Sequence, residues 1–133
     1  MMVSASRKAG RVLVVDDNED AADSLAALLR GELDCEVYTA YDGAQALDKA
    51  GEVHPDVVVM DITMPHVDGF EAASLLRRVF RHKPPRLIAV SGLAHLDVKQ
   101  AQAWGFDQLI GKPVPVDELV EAVCGERRPT LSA

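Results

Sequence analysis

The sequence has no apolar run long enough to cross a membrane. Runs such as those at 12–15 and 57–60 hold only four apolar residues each, whereas a membrane-spanning helix needs about 20. The basic residues in the opening stretch MMVSASRKAG are not followed by the apolar segment of a secretory signal. We therefore expect a cytoplasmic protein that does not bind a membrane.

Cysteine is scarce, and Cys35 and Cys124 are its two occurrences in 133 residues. The two do not have the spacing of metal ligands. A single domain of this length buries roughly two-thirds of the surface of its unfolded chain, so it does not need a disulfide to fold. We expect both cysteines to be reduced, packed thiols, as is usual in the cytosol.

Positive charge is in deficit, and the formal net charge is −7 at pH 7. The notable basic clusters are short and lie at 77–78, 81–83 and 127–128. An acidic chain repels a phosphate backbone, and clusters of this length do not form a binding footprint. We therefore expect no direct nucleic-acid binding, and we interpret the clusters as solvated helix ends.

Five apolar runs bounded by turn residues alternate with segments of helical periodicity. The runs are RVLVVD (11–16), CEVYTAY (35–41), DVVVMD (56–61), PRLIAVS (85–91) and FDQLIGK (106–112). The first, third and fourth are continuously apolar, which is typical of interior strands in a parallel sheet with helices on both faces. The second is more polar and suits an edge. The pattern predicts an α/β fold.

Segments 18–33, 68–81 and 115–125 have the periodicity of amphipathic helices. Segments 42–51 and 96–105 predict shorter and more polar helices. The residues predicted to form the apolar faces of the three stronger helices are Ala22, Leu25, Ala26 and Leu29; Ala72, Leu75, Leu76 and Val79; and Val116, Leu119, Val120 and Val123.

Polar residues stand at the ends of the predicted strands, except the second: Asp16 and Asp17, Asp61, Ser91 and Lys112. The carboxyl ends of strands in a doubly wound parallel sheet share one edge, where ligands bind. Carboxylates about 4 Å apart repel by roughly 4 kcal/mol at an effective dielectric near 20, so such a cluster requires positive charge. Lys112 supplies one charge, and the oxygen donors suit Mg²⁺.

Taken singly, each of these residues has an ordinary structural explanation. An aspartate after a strand is commonly a helix N-cap, a serine is a satisfied hydroxyl, and a lysine is a surface amine. Their coincidence at four strand ends favours a site for phosphate and metal.

The stretches VLVVDDNED, PDVVVMDITMPHVDGFE, PRLIAVSG and IGKPV together cover most of the chain. In these motifs the sequence resembles the response-regulator receiver domain (CheY-like) of two-component signalling. The resemblance implies a flavodoxin-like, doubly wound, five-stranded parallel sheet of order 2-1-3-4-5, flanked by five helices.

The resemblance also implies roles for the acidic residues. Asp61 would be the phosphoacceptor, taking a phosphoryl group from a phosphohistidine on a sensor histidine kinase or histidine phosphotransfer protein. Asp17 and Asp61 would bind Mg²⁺ directly, together with the backbone carbonyl of Thr63. Asp16 would act mainly through a metal-bound water.

By the same resemblance, Lys112 would pair with a phosphoryl oxygen, and Ser91 would hydrogen-bond another one after phosphorylation. The Lys112–Pro113 peptide matches a bond that is usually cis in the family, where proline lowers the cis penalty. Such a domain is not a dedicated enzyme, although it catalyses its own phosphorylation and slow autodephosphorylation. The phosphoryl group would switch contacts with a downstream protein target that the sequence does not identify.

One position departs from the family. An aromatic residue commonly lies three residues before the lysine and moves inward on activation, whereas here that residue is Leu109. We hypothesise that signal transfer uses the loop after Ser91 and the fourth helix, and that the nearby Phe106 precedes the fifth strand.

The expected organisation is a flexible N-terminal lead over 1–10, a receiver domain over 11–125 and a disordered tail over 126–133. We expect a stand-alone receiver in preference to one excised from a larger regulator or hybrid kinase. The main alternative is a pseudo-receiver, a binding module that is not phosphorylated.

Two other classes of protein share features with this sequence. A flavodoxin-like FMN carrier has the same sheet, but DDNED (16–20) would repel a phosphate that arrives without a metal. A phosphatase of the haloacid-dehalogenase type needs a second aspartate two residues after the first, where Thr63 stands.

Overall fold

The computed structural model describes residues 8–62, 69–92 and 98–125. Within these ranges a five-stranded, all-parallel sheet has the order β2-β1-β3-β4-β5, which confirms the predicted topology. The strands are β1 (Lys8–Val15), β2 (Asp34–Ala40), β3 (Val57–Asp61), β4 (Arg86–Ser91) and β5 (Gln108–Gly111). The helices are α1 (Glu19–Glu32), α2 (Gly43–Val53), α3 (Gly69–Val79), α4 (Val98–Ala103) and α5 (Val116–Cys124).

The interior strands bury both of their faces, as their continuous apolar runs predict. Along β1, Leu13 joins an apolar cluster with residues of α2, α3 and α4, whereas Val12 and Val14 join a second cluster with residues of α1 and α5. All of β3 is buried. Because successive side chains point to opposite faces of a strand, such a strand needs a helical layer on each side.

The described helices are too short, or too polar, for any of them to span a bilayer. The side chain of Asn18 caps α1 by accepting a hydrogen bond from the Ala21 N–H at 3.1 Å. Asp42 caps α2 in the same way, accepting from the Gln45 N–H at 2.8 Å. Since Asn18 is the N-cap of α1, the two aspartates that precede it do not serve as that cap.

The predicted N-terminal lead over 1–10 is too long, because β1 already begins at Lys8 and pairs with Asp34 of β2. The pairing shifts register between Lys8 and Gly10, where φ is +70°. A Cβ at Gly10 would collide with the carboxylate of Asp56. This end of the strand is held by backbone pairing and bends at Gly10, and it does not depend on apolar side chains. The sequence therefore shows no apolar pattern there. The tail predicted over 126–133 lies outside the described residues.

The apolar face of α3 is rotated from the predicted one. Ala73 and Leu76 are fully buried, Phe80 just beyond the helix packs against the same cluster, and Leu75 is half-buried. Val79 is 63% exposed, so its predicted place in the core is wrong. Leu76 of the predicted face is buried as predicted, but the stripe at 73, 76 and 80 fits helical spacing as well as the predicted stripe at 72, 75, 76 and 79, and the sequence does not choose between them.

Smaller differences occur on two other helices. Val116 at the start of α5 is 40% exposed, whereas Leu119, Val120 and Val123 are buried as predicted. On α1, Leu25 is half-buried. Phe106 is buried and precedes β5, which confirms its predicted position.

The two neighbouring leucines of α3 test which stripe faces the core. Leu76→Ala should lower the free energy of unfolding by about 2–5 kcal/mol, because it leaves a cavity at a fully buried position. Leu75→Ala should cost about 1 kcal/mol, since much of that side chain already contacts water. Urea denaturation measures both, and equal losses would contradict the observed orientation of the helix.

Candidate functional site

Four of the predicted site residues meet at the carboxyl edge of the sheet. Val15 of β1 pairs with Met60 of β3, so the residues that follow them, Asp16 and Asp61, lie side by side at adjacent strand ends. Ser91 ends β4, and its carbonyl accepts a 2.8 Å hydrogen bond from the N–H of Lys112. The prediction that these residues converge is therefore confirmed by the sheet's register.

Burial singles out the same residues. Among the described side chains, the buried polar ones are Asp16, Asp61 and Ser91, which are 8%, 6% and 3% exposed. Buried polar groups are costly without partners, and buried carboxylates especially so. Because three such residues lie at one edge of the sheet, we interpret this edge as the candidate functional site.

Asp61 is held by a close ion pair. The Nζ atom of Lys112 donates to Oδ2 of Asp61 at 2.6 Å. The side chain of Lys112 is 38% exposed, whereas that of Asp61 is 7% exposed, so the ammonium reaches inward from the surface to a buried carboxylate. A charged hydrogen bond of this length fixes the carboxylate's orientation.

Asp16 has a different environment. Its Oδ1 atom accepts a 3.0 Å hydrogen bond from the backbone N–H of Asn18. Burial raises the pKa of Asp16 above its ordinary value, the Asn18 hydrogen bond opposes the rise, and the charge of Asp61 adds to it. Two buried carboxylates thus share one nearby ammonium, that of Lys112, and the group as a whole carries excess negative charge.

The other predicted metal ligands differ in how far the structure describes them. Asp17 is exposed, and Thr63 lies outside the described residues. Within the described ranges, no three His, Cys, Asp or Glu side chains are grouped so as to hold a metal ion. Asp16 and Asp61 nevertheless suit Mg²⁺, because their carboxylates are hard oxygen donors, and Mg²⁺ often takes one or two protein carboxylates and keeps several waters.

A cavity of about 290 Å³ opens beside these residues, between α1 and the segment that follows β5. Asp16, Asp61 and Lys112 line it together with apolar side chains that include Leu25 and Val114. Sequence reasoning did not assign these two residues to the site: Leu25 was predicted only as part of the apolar face of α1, and Val114 was only part of the IGKPV motif. The cavity places open space beside the carboxylates of Asp16 and Asp61.

The peptide between Lys112 and Pro113 is cis, as the resemblance implied. Leu109, at the position where the resemblance implied an aromatic residue, is half-buried and packs against the cluster shared with α2, α3 and α4. Trp104, at the end of α4, packs partly buried against the same cluster. An aromatic ring therefore lies near the fourth helix, although not at the usual position.

The sequence and the fold match a known family. The family model described as the response regulator receiver domain matches residues 12–124. The chain belongs to this family, whose members are the receivers of two-component signalling.

Individual relatives agree with this assignment. Protein PilG of Pseudomonas aeruginosa is 32% identical over 114 residues, which are 85% of this chain and 84% of PilG. Transcriptional regulatory protein PrrA of Mycobacterium leprae is 40% identical over 113 residues, which are 85% of this chain but 48% of PrrA. The chain thus spans about half the length of PrrA.

Solved structures show the same fold. The response regulator domain of Thermotoga maritima CheB is 32% identical, with a TM-score of 0.74 over 87% of this chain and 94% of that one. The signal receiver domain of a DNA-binding response regulator from Colwellia psychrerythraea is 27% identical, with a TM-score of 0.76 over 85% of this chain and 94% of that one.

Removing one buried carboxylate should stabilise the metal-free protein. Asp16→Asn keeps an oxygen acceptor for the Asn18 N–H and removes one of two neighbouring like charges. We expect the free energy of unfolding to rise by about 1–2 kcal/mol in buffer with a chelator, since Lys112 offsets part of a repulsion of roughly 4 kcal/mol. Urea denaturation measures the change.

Asp48→Asn is the matched control, because Asp48 is an exposed acid on α2. Its effect should stay within about 0.5 kcal/mol. A loss of stability in Asp16→Asn would show that the two carboxylates do not repel each other in the folded protein.

Proposed function

We propose that this receiver accepts a phosphoryl group on Asp61 from the phosphohistidine of a sensor histidine kinase or a histidine phosphotransfer protein. The observation that carries the proposal is the 2.6 Å contact between Lys112 Nζ and Oδ2 of Asp61. It fixes a buried nucleophile at the ligand-binding edge of the sheet, with a cation already in place.

The transfer exchanges one bond to phosphorus for another. An oxygen of the Asp61 carboxylate bonds to phosphorus while the bond between phosphorus and the donor imidazole nitrogen breaks. The electron pair of that bond returns to the imidazole, which takes up a proton. A carboxylate is a weak nucleophile, so the chain's contribution is to hold it in line and to stabilise charge on the phosphoryl oxygens.

Lys112 has two successive roles in this proposal. Before transfer its ammonium orients Asp61, and afterwards it pairs with a phosphoryl oxygen at the same strand end. Because the Lys112 backbone N–H is anchored to the Ser91 carbonyl at 2.8 Å, the ammonium extends from a fixed point. The Ser91 hydroxyl lies at the end of the neighbouring strand and would hydrogen-bond another phosphoryl oxygen.

Asp17 and Asp61, with the Thr63 carbonyl, would bind Mg²⁺ directly, and Asp16 would act mainly through a metal-bound water. When bound, the ion would neutralise charge on the phosphoryl oxygens and relieve the repulsion between the two buried carboxylates. The cavity of about 290 Å³ beside them has room for several waters at roughly 30 Å³ each.

The phosphoryl group would change the protein's contacts with a downstream protein target. With Leu109 at the usual aromatic position, we propose that α4 and the segment after Ser91 carry the signal; residues 93–97 of that segment lie outside the described residues. Trp104 supports this proposal, because it is a partly buried ring at the end of that helix. The free thiols of Cys35 and Cys124 support a cytoplasmic location for the protein.

Intact-protein mass spectrometry tests the proposed acceptor. After incubation with acetyl phosphate and Mg²⁺, the protein should gain one labile phosphoryl group, which alkaline treatment removes. Asp61→Asn should gain none, because an amide oxygen cannot form the acyl phosphate. Asp48→Asn is the control and should be phosphorylated normally.

A folded wild-type protein that gains no phosphoryl group from acetyl phosphate or from a phosphohistidine donor would favour the pseudo-receiver. Circular dichroism of each variant separates loss of the reactive group from loss of the fold. A phosphoryl gain that survives in Asp61→Asn would place the acceptor elsewhere.

Lys112→Met removes the ammonium and keeps an unbranched side chain. We expect phosphorylation by acetyl phosphate to slow by roughly 10²-fold, as is typical when one charge-stabilising group is lost. Lys99→Met, at an exposed position on α4, should leave the rate unchanged. Equal rates in the two variants would remove Lys112 from the proposed mechanism.

A further inference from the structure

A basic surface with an exposed apolar residue lies at the end of α3, away from the phosphoryl site. We call it the α3-end surface, and it consists of Arg78, Val79, Arg81, His82 and Lys83, all of which are exposed. It lies next to the amino ends of β3 and β4, whereas Asp61 lies at the carboxyl end of β3. The proposed phosphotransfer does not use it.

Three of the cations on this surface have no bonded partner among the residues that the structure describes. Arg77, which precedes them, donates to the Gly105 carbonyl at 2.6 Å and to Asp107 Oδ1 at 3.1 Å. By contrast, the side chains of Arg78, Arg81 and Lys83 make no hydrogen bond or ion pair with any described residue. Their positive charges therefore remain available to a partner.

Nearby acidic charge only partly offsets these cations. Asp56, which lines the adjoining pocket, accepts a 2.9 Å hydrogen bond from the neutral backbone N–H of Arg11 and so keeps its negative charge. Three cations thus face solvent beside this carboxylate. In a chain of net charge −7, this is a local reversal of sign.

A pocket of about 270 Å³ adjoins the cations, and it is lined by His54, Pro55, Asp56, Val79, Phe80, His82, Lys83 and Pro85. The ring of His54 meets that of Phe80 edge to face, with centroids 5.9 Å apart. His54 is also the C-cap of α2, with a backbone in the left-handed region, and its N–H donates a 2.9 Å hydrogen bond to the Ala50 carbonyl. Packing and backbone bonding therefore hold this wall of the pocket in place.

The size of the pocket indicates whether it binds a small molecule or a side chain of a larger partner. Small-molecule sites usually measure about 300–1,000 Å³, so a pocket of about 270 Å³ better suits a single side chain of a larger partner. Val79, 63% exposed at its rim, would be covered by such a side chain. Because the apolar pocket and Val79 lie beside cations, a matching partner segment would have an apolar side chain flanked by acidic residues.

We propose that the α3-end surface binds an acidic peptide segment of a partner protein, with one apolar side chain of the segment inserted in the pocket. Charge complementarity would steer the segment to this surface and set its register, and burial of the anchor and Val79 would add affinity. The proposal is independent of the phosphorylation of Asp61. Nucleic acid is the less suitable partner, since the chain as a whole repels it.

The experiment uses synthetic peptides of about nine residues with a central leucine flanked by glutamates, a length that can span such a groove. Fluorescence anisotropy with the full chain should give a dissociation constant of about 10–100 µM. Matched peptides with a central serine, or with lysines in place of the glutamates, should bind at least about ten-fold more weakly. Amide chemical shifts should move at residues 54 and 79–83.

Variants of the protein test the same contacts. Arg81→Glu and Lys83→Glu should each weaken binding of the leucine peptide by about five-fold or more, and Val79→Ser by about three-fold. Lys99→Glu, an exposed charge reversal on α4, should have no effect. These positions are exposed, so the variants should keep the wild-type stability.

Three results would overturn the proposal. The first is equal binding of the leucine and serine peptides. The second is a set of shifts centred on Asp16 and Asp61 in place of the α3-end surface. The third is binding of a single-stranded oligonucleotide more tightly than the acidic peptide, which would assign the cations to nucleic acid.

Discussion

The repulsion between the buried carboxylates of Asp16 and Asp61 is the constraint on which the rest of the site depends. Parallel pairing of β1 with β3 places the two strand ends side by side, and burial keeps water from screening them. The ammonium of Lys112 offsets part of that repulsion from the end of β5. A site with two carboxylates and one ammonium suits the proposed binding of a divalent ion and a phosphoryl group together, because each of these compensates the charge of the other.

The apolar strands explain how the protein tolerates this arrangement. Both faces of β3 pack against helices, so the strand that bears Asp61 is fixed along its whole length. Asp61 is thereby held in one place, and a fixed carboxylate can be approached in line by a phosphorus atom. The free energy of apolar burial in the sheet also outweighs the cost of two neighbouring carboxylates at its edge, since the core extends over ten helices and strands.

Much of this structure could be predicted from the sequence, because its signals are local or follow from topology. Continuous apolar runs identified the interior strands, and the common direction of parallel strands brought Asp16, Asp61, Ser91 and Lys112 to one edge. The orientation of α3 could not be predicted, since two stripes that share Leu76 both fit helical spacing, and only tertiary packing buries Ala73 and exposes Val79. The start of β1 was missed because backbone pairing around Gly10 leaves no apolar pattern. The burial of the Asp16 and Asp61 pair, and the cavity beside it, also depend on packing between distant segments.

In the proposed transfer Asp61 carries the phosphoryl group, and neither of the aspartates after β1 does. The most direct measurement is borohydride reduction of the phosphorylated full chain, which converts an aspartyl phosphate to homoserine, followed by peptide mass spectrometry. We expect homoserine at position 61 and unmodified aspartate at Asp16 and Asp17. Homoserine at position 16 or 17, with Asp61 unmodified, would contradict it.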